Sequence, residues 1–477
     1  MSSIRKIAKN LGVLFIAQMI TYVMGFFITM YTARYLGAAG FGILSLALSI
    51  TGIFGVFGDL GLSTLMIRDI ARDKSITNKY MTNFAIIKVA LVCLMFGLIA
   101  LTVNIIGYSK LVDTVIYLIT LSVALNSFGG VLTAVFQANE KMEYLSVNYV
   151  INSTLMLVGT AIGIYYQLDV IFFALLYVIS TGLVLIPTFL IYIWKFSWPK
   201  IEVDLSLWKP SIKEAWPFGI TGLLVNIYYW IDSVILSIMV GTEVVGWYNA
   251  AYKLIVVILF IPTVLNVVVF PIMSKLYVTS KDSLKLVYEK YFKYMAILGI
   301  PIGVGTTLLA DKIILLIFGN QYIPSIIALQ ILIWSSVILF MSGAFSRLLE
   351  ASNQQLVLTK ITAICAVLNI VLNVILIPRY SFIGASFVTV VTELASFVLT
   401  LRITSSKGYG LTKKEGSDLL KIIFASAVMA AFLICFRSLN LFVLIVLASI
   451  IYFIILFLVK GIDEEDKKIF EEAINNK

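Results

Sequence analysis

The chain has 477 residues, of which 61% are hydrophobic and 13% are charged, and its mean hydropathy is +1.04. Because ordinary soluble domains contain about 25% charged residues, this composition excludes a soluble globular protein. There are no histidines, and the 3 cysteines are isolated within apolar runs. The sequence therefore also excludes a disulfide framework and a histidine-based metal centre or proton relay.

Apolar runs long enough to cross a bilayer follow one another along the whole chain. As a helix, about 20 apolar residues span a hydrocarbon core of roughly 30 Å. The predicted fold class is an all-α integral membrane protein with fourteen transmembrane helices. These helices are predicted at 10–33, 42–66, 81–104, 114–136, 144–166, 170–194, 214–239, 246–273, 293–310, 324–346, 358–377, 382–402, 417–437 and 440–459.

The positive charges predict the orientation of these helices. Most of the 35 lysines and arginines lie on one side of the membrane, beginning with Arg5, Lys6 and Lys9. The opposite side carries few: Arg34, Lys110, Lys312, Arg379 and Arg437. Since cytoplasmic loops hold the excess of lysine and arginine, we predict a cell-membrane protein with both termini in the cytoplasm. The net charge of +10 then reflects topology and attraction to anionic lipids, and no nucleic-acid partner is expected.

A short motif recurs in the two halves of the chain. LGAAGFG at 36–42 matches VGTEVVG at 240–246, and each lies between two long apolar runs. Six predicted helices separate equivalent positions, so both copies enter the membrane in the same direction. This pattern predicts two parallel-oriented modules related by a pseudo-two-fold axis along the membrane normal.

The repeat and the polar stretches give the predicted domain limits. They are an N-lobe at 1–194 with helices 1–6, a cytoplasmic linker at 195–213, a C-lobe at 214–402 with helices 7–12, helices 13–14 at 403–460 and a cytoplasmic tail at 461–477.

Three stretches resemble the polysaccharide flippases. They are LGAAGFGILSLALSI after the first helix, GTEVVGWYNAAYKL after the seventh, and RLLEASNQ before the eleventh. These flippases form a branch of the multidrug/oligosaccharidyl-lipid/polysaccharide (MATE-like) exporter superfamily, together with drug exporters and lipid II flippases. The resemblance covers essentially the whole chain. It implies a V-shaped pair of six-helix lobes, followed by two C-terminal helices, that opens alternately to either side and moves a lipid-linked sugar headgroup.

Three basic residues are the predicted cationic ligands of a phosphate or diphosphate headgroup: Arg34, Lys88 and Lys253. A charge within a membrane helix costs about 2.5–3.5 kcal/mol on insertion scales and therefore usually faces a cavity or a partner. Cations bind phosphate through charge-assisted hydrogen bonds. The alternative for Lys88 is a structural ion pair with Asp59, which lies at a similar predicted depth. For Arg34 and Lys253 the alternative is snorkelling to the membrane interface.

One face of the first helix carries polar residues at helical spacing, among them Gln18 and Tyr22. We predict that these residues line a cavity together with Asp59 and Asn226. The alternative is a packing seam of small residues between helices.

Oxygen-bearing residues at matched depth in the second half predict a cation site: Asp232, Asn369, Asn373, Thr389 and Glu393. Oxygen ligands with a carboxylate suit a hard cation such as Na⁺. The set is similar to the sodium site of the lipid II branch, although Asn373 stands where that pattern has an acid. An interhelical polar network and proton coupling through Asp232 or Glu393 are the alternatives.

These features predict a secondary transporter that flips a lipid-linked oligosaccharide or polysaccharide repeat unit to the outer leaflet. Its expected partners are membrane lipids, a polyprenyl (di)phosphate-linked glycan and glycan-assembly enzymes. We expect a functional monomer with no cofactor besides Na⁺ or H⁺ as coupling ion. A MATE-like drug exporter and a lipid II-type flippase are the alternatives. No GxxxxGK[ST] nucleotide site is present, and the outer loops are short, so neither an ATP-driven pump nor an enzyme is expected.

Overall fold

The computed structural model describes residues 3–196, 198, 200–464 and 466, with their side chains from residue 12 onward. All regular elements among these residues are helices. The predicted cytoplasmic side chains of Arg5, Lys6 and Lys9, and most of the predicted tail 461–477, lie outside this description.

The chain forms two compact units, Met1–Asn249 and Ala250–Lys477. The helices of the first unit are α1 (Ser3–Phe54), α2 (Leu62–Arg72), α3 (Thr77–Ile106), α4 (Lys110–Ala138), α5 (Met142–Tyr165), α6 (Val170–Lys195), α7 (Trp208–Met239) and the start of α8 (Thr242–Ile258). The second unit continues with α9 (Phe260–Thr279), α10 (Lys281–Ile317), α11 (Ser325–Ala351), α12 (Gln355–Ser405), α13 (Lys413–Cys435) and α14 (Leu441–Leu458).

Twelve helical segments in the described part of the chain are long and apolar enough to cross a membrane. Two of them, Gly12–Gly58 with 47 residues and Gln355–Ser405 with 51, extend roughly 70 Å or more at 1.5 Å per residue, more than twice a bilayer core. Each contains one break in helical geometry, at Gly37 (φ 66°) and at Ser381 (φ 53°). The sequence predicts a loop between helices 1 and 2 and another between helices 11 and 12, but the structure has a single-residue bend at each place. Each predicted pair therefore forms one long segment, and the number of segments is lower than the predicted fourteen.

The repeated motifs contact each other reciprocally within the first unit. A Cβ atom on Gly42 would lie 1.8 Å from the carbonyl oxygen of Thr242, and one on Gly246 would lie 2.0 Å from the carbonyl oxygen of Ala38. In the repeat, Ala38 corresponds to Thr242 and Gly42 to Gly246. Gly42 thus contacts Thr242, and their repeat equivalents, Gly246 and Ala38, contact each other. Such a reciprocal pair of contacts is typical of two-fold symmetry. The two copies of the motif are therefore in reciprocal contact, while the parallel orientation of two modules stays a prediction from sequence.

Helix α7 packs against other segments of the first unit through both charge and close backbone approach. Arg68 in α2 donates to Glu214 in α7 over 2.7 Å, and a Cβ on Gly61 would lie 2.6 Å from the carbonyl oxygen of Ala215. The unit boundary after Asn249 thus differs from the start of the predicted C-lobe at residue 214. The repeat-based domain limits stay a prediction from sequence.

An ion cluster fixes the segment that follows α14 against α10. The fully buried Asp466 accepts hydrogen bonds from Lys290 and Lys293, each at 2.6 Å, and Asp463 contacts the same two lysines at 3.1 and 3.2 Å. Burial alone would raise the pKa of both carboxyls. Hydrogen bonds from the lysine ammonium groups and from the backbone N–H of the other aspartate instead hold each pKa below its usual value.

The reciprocal contact predicts that neither Gly42 nor Gly246 accepts a side chain. We expect Gly42→Ala and Gly246→Ala each to destabilise the protein by at least about 1–3 kcal/mol, because a methyl group would overlap a backbone oxygen that cannot rotate away. The measurement is thermal unfolding of the purified protein. Gly97→Ala in α3 is the matched control, since its Cβ would meet nothing within 4 Å and alanine favours the helix. Equal melting temperatures for all three variants would show that the motifs do not pack in this way.

Candidate functional site

The site begins at an interruption after α1. The sequence predicts one helix over 42–66, but α1 ends at Phe54 and a 3₁₀ turn over Gly55–Gly58 leads to Asp59. Gly61 then takes a left-handed conformation (φ 83°) before α2 begins. Glycine tolerates such backbone geometry, and irregular backbone at membrane depth is stable where it is buried in protein or lines a cavity. The predicted helix over 42–66 is therefore wrong in this part, and the interruption places Asp59 between two helices.

This interruption forms one wall of a cavity of about 520 Å³ in the first unit, which we call the Asp59 cavity. Helix α7 forms another wall and approaches closely, since a Cβ on Gly219 would lie 3.0 Å from the backbone of Leu60. The polar lining consists of Thr51, Asp59, Thr64 and Asn226. Asp59 and Asn226, both predicted as cavity residues, therefore share one cavity.

The Asp59 carboxylate forms an ion pair with a buried lysine. Lys88 in α3 is 1% exposed, and its Nζ lies 2.6 Å from Asp59 Oδ1. The same ammonium donates to the Ser63 hydroxyl oxygen at 3.0 Å and to the Ser127 carbonyl oxygen at 2.9 Å. All three donors of the ammonium are thus used. The ion pair that the sequence offers as the alternative role of Lys88 is therefore present. Asp59 is 33% exposed, so its carboxylate is on the cavity side.

The other residues predicted to bind headgroup or line a cavity lie elsewhere. Arg34 is exposed on α1, three residues before the bend at Gly37, and Gln18 and Tyr22 are half-buried on the same helix. None of these three lines the Asp59 cavity. Lys253 is half-buried on α8 in the second unit. Their predicted roles therefore stay predictions.

The residues of the predicted cation site divide between the two units. In the first unit, Asp232 is buried and accepts a hydrogen bond from the Tyr248 hydroxyl at 2.7 Å.

In the second unit, Asn373 donates to Asn369 Oδ1 at 2.9 Å, one helical turn apart on α12. Thr389 and Glu393 are buried on the later half of the same helix. Among the described residues no cluster of three or more Asp, Glu, Cys or His side chains could hold a metal ion.

Two further residues, Ser63 and Ser127, accept hydrogen bonds from Lys88 and are not among the residues predicted from the sequence. Ser63 donates to Asp59 Oδ1 at 2.6 Å while accepting from Lys88, and its spacing of four residues from Asp59 is a helical signal that was available. Ser127 contributes a backbone carbonyl, which no side-chain pattern reveals.

The helical architecture and the charged cavity define the class of protein as a multi-pass membrane transporter, because buried charge at membrane depth usually lines a transport pathway. The chain belongs to the polysaccharide biosynthesis protein family, which matches residues 7–277. The MatE family matches residues 217–375.

Curated relatives and solved structures extend this likeness over most of the chain. The probable low-salt glycan biosynthesis flippase Agl15 of Haloferax volcanii is 24% identical over 91% of this chain and 90% of its own length. The capsular polysaccharide biosynthesis protein CapF of Staphylococcus aureus is 25% identical over 82% and 97%. The inward-closed structure of the lipid II flippase MurJ has a TM-score of 0.76 at 17% identity, covering 93% of this chain and 97% of that one. An inward-facing MATE multidrug transporter has a TM-score of 0.66 at 17% identity, over 84% and 100%.

The Asp59–Lys88 pair predicts a stability pattern for charge removal. We expect Asp59→Asn to destabilise the protein by about 3–5 kcal/mol, because it leaves a buried ammonium without its counter-charge. Combining Asp59→Asn with Lys88→Met removes both charges and should recover most of that loss in thermal unfolding. The exposed pair Arg437–Asp311 is the matched control, and its neutralisation should cost about 1 kcal/mol or less. A double variant no more stable than Asp59→Asn would show that the two charges are not coupled.

Proposed function

We propose that this chain flips a lipid-linked oligosaccharide or polysaccharide repeat unit from the cytoplasmic to the outer leaflet by alternating access. The observation that carries this proposal is the buried Lys88, held by Asp59 at the wall of a 520 Å³ cavity in a membrane-embedded unit. The family membership and the glycan-related names of its relatives support the same function. The expected cargo is a glycan on a polyprenyl phosphate or diphosphate.

The ion pair provides a way to admit an anionic headgroup without leaving a buried charge unpaired. In the empty protein, Asp59 compensates Lys88. When a phosphate enters the Asp59 cavity, its oxygens replace the carboxylate as acceptors of the Lys88 ammonium, so the buried ammonium stays compensated. The displaced carboxylate, which is 33% exposed to the cavity side, keeps its hydrogen bonds from the Ser63 hydroxyl and backbone N–H. Release of the phosphate restores the Asp59–Lys88 pair. The site therefore binds by exchanging one anionic acceptor for another.

The transport cycle needs no bond to be made or broken, and Agl15 and MurJ are both named as flippases. A MATE-like drug exporter is the second candidate, because the MatE family matches part of the chain. The two differ in their cargo: the exporter would move drugs, whereas the flippase moves an anionic lipid headgroup, for which a buried lysine is a favourable neighbour.

Several finer features belong to the same proposal. The two long bent helices each cross the membrane twice, which gives fourteen crossings with both termini in the cytoplasm of a cell-membrane protein. Na⁺ or H⁺ acts as coupling ion, and Asp232 and Glu393 are the carboxylates whose neutral variants test it. The protein works as a monomer, next to membrane lipids and glycan-assembly enzymes.

Transport in proteoliposomes tests the role of Lys88. We expect the Asp59→Asn, Lys88→Met double variant to translocate a polyprenyl diphosphate glycan at least about tenfold more slowly than wild type, because one lost charge-assisted hydrogen bond is worth about 1.5–3 kcal/mol. Its melting temperature should stay close to that of wild type, which separates transport from folding. Lys110→Met, at an exposed position, is the matched control. Wild-type transport by the double variant would remove Lys88 from the mechanism, and export of drugs without glycan movement would favour the exporter.

A further inference from the structure

A second cavity in the first unit is not used by the transport mechanism described above. It lies between α4, α5 and α6, has a volume of about 450 Å³, and is lined by three asparagines, Asn126, Asn148 and Asn152. We call it the asparagine cavity. Its size falls within the range of about 300–1,000 Å³ that is typical of small-molecule sites.

Two of these asparagines carry hydrogen-bonding capacity that the protein does not satisfy. The side-chain oxygens of Asn148 and Asn152 are buried and have no hydrogen-bond partner among the described residues. Asn148 as a whole is 7% exposed. The two residues are four positions apart on α5 and so share one helical face, and both line the cavity. Since a buried unpaired amide oxygen is costly, these groups require donors from something that enters the cavity.

The remaining lining points to an uncharged, hydroxyl-rich occupant. Ser122, Thr133, Thr181 and Thr188 add hydroxyl groups, and Leu145 and Leu185 add apolar surface. Within the part of the chain that the structure describes, no carboxylate, ammonium or guanidinium lines the cavity. Amides and hydroxyls both donate and accept hydrogen bonds, as a sugar does. A charged sugar would lose its hydration here without gaining a counter-charge.

The asparagine cavity adjoins the Asp59–Lys88 pair. Gly130 lines the cavity, and a Cβ placed on it would lie 3.3 Å from Lys88 Nζ. Val123 lines both the asparagine cavity and the Asp59 cavity. A headgroup with its phosphate at Lys88 would therefore have its nearest sugar beside the asparagines.

We infer that the asparagine cavity binds an uncharged sugar residue of the lipid-linked glycan, close to its phosphate. This inference rests on the proposed flippase function and adds a specificity: a neutral sugar is accepted there, and a uronic acid at the same position is rejected. Asn148 and Asn152 supply the acceptors for the sugar hydroxyls.

The test compares two synthetic substrates in proteoliposomes, a polyprenyl diphosphate with a neutral trisaccharide and the same compound with the lipid-proximal sugar oxidised to its uronic acid. Wild type should move the neutral compound at least about tenfold faster. The Asn148→Leu, Asn152→Leu variant should move it at least about tenfold more slowly than wild type and should lose the preference, while its melting temperature is equal or higher. Asn104→Leu, the same change at an exposed position of α3, is the matched control and should behave as wild type.

The outcomes separate the two proposals. If wild type moves neither compound, the proposed flippase function fails and this inference fails with it. If wild type moves the glycan but the double variant moves it equally well, the cavity holds only water and the inference is wrong. A melting temperature lowered by several degrees would assign the asparagines a structural role and also overturn it. If the double variant fails to fold, Asn152→Leu alone, at a half-buried position, is compared with wild type on the same two substrates. Slower transport of the neutral compound and loss of the preference support the inference, and unchanged transport overturns it.

Discussion

The cost of placing an ionised group among membrane helices constrains the rest of this structure. Lys88 is almost fully buried and survives there only because Asp59, Ser63 and the Ser127 carbonyl together use every donor of its ammonium. Removing one partner of such a pair costs more than the pair contributes. Any ligand that binds this lysine must therefore be an anion able to replace Asp59, and this requirement is the basis of the exchange with phosphate that we propose.

Close backbone approach is the second requirement, and glycines provide it. Gly61 and Gly219 let α7 pack against the interruption that carries Asp59, and Gly42 and Gly246 let the repeated motifs meet. A side chain at any of these positions would push the contacting segments apart, and at Gly61 or Gly219, which line the Asp59 cavity, it would also open the cavity wall. The packing that positions the charged pair is thus set by small residues, as is common between membrane helices.

The sequence predicts the class of the molecule well because hydropathy and charge placement are properties of single segments. The apolar runs and the repeat at 36–42 and 240–246 are visible in the sequence, which leaves the pairing of Asp59 with Lys88 as one of two interpretations. The bends at Gly37 and Ser381 and the early end of α1 at Phe54 are not, since they depend on tertiary packing that continues a helix through an expected loop or stops it within an apolar run.

The residues of the candidate site are likewise predictable from the sequence only in part. Asp59 and Asn226 are recognisable as polar residues within predicted helices, and their sharing of one cavity follows from the approach of α7. Asn148 and Asn152 have the same spacing of four residues as Asn369 and Asn373, but only the second pair resembles a known cation site. Amides carry no charge, so nothing in the sequence separates those that line a cavity from those that pack between helices.

The most direct measurement of the central claim is the proximity of phosphate to Lys88. Dipolar recoupling between ³¹P of a bound polyprenyl diphosphate glycan and ¹⁵N-labelled lysine side chains reports whether the two nuclei lie within about 4 Å, as a charge-assisted hydrogen bond requires. If Lys88 binds the headgroup, the ³¹P signal is dephased in wild type and this dephasing is lost in Lys88→Met. Dephasing that persists in Lys88→Met, or that is absent from wild type with substrate bound, would contradict the exchange of Asp59 for phosphate.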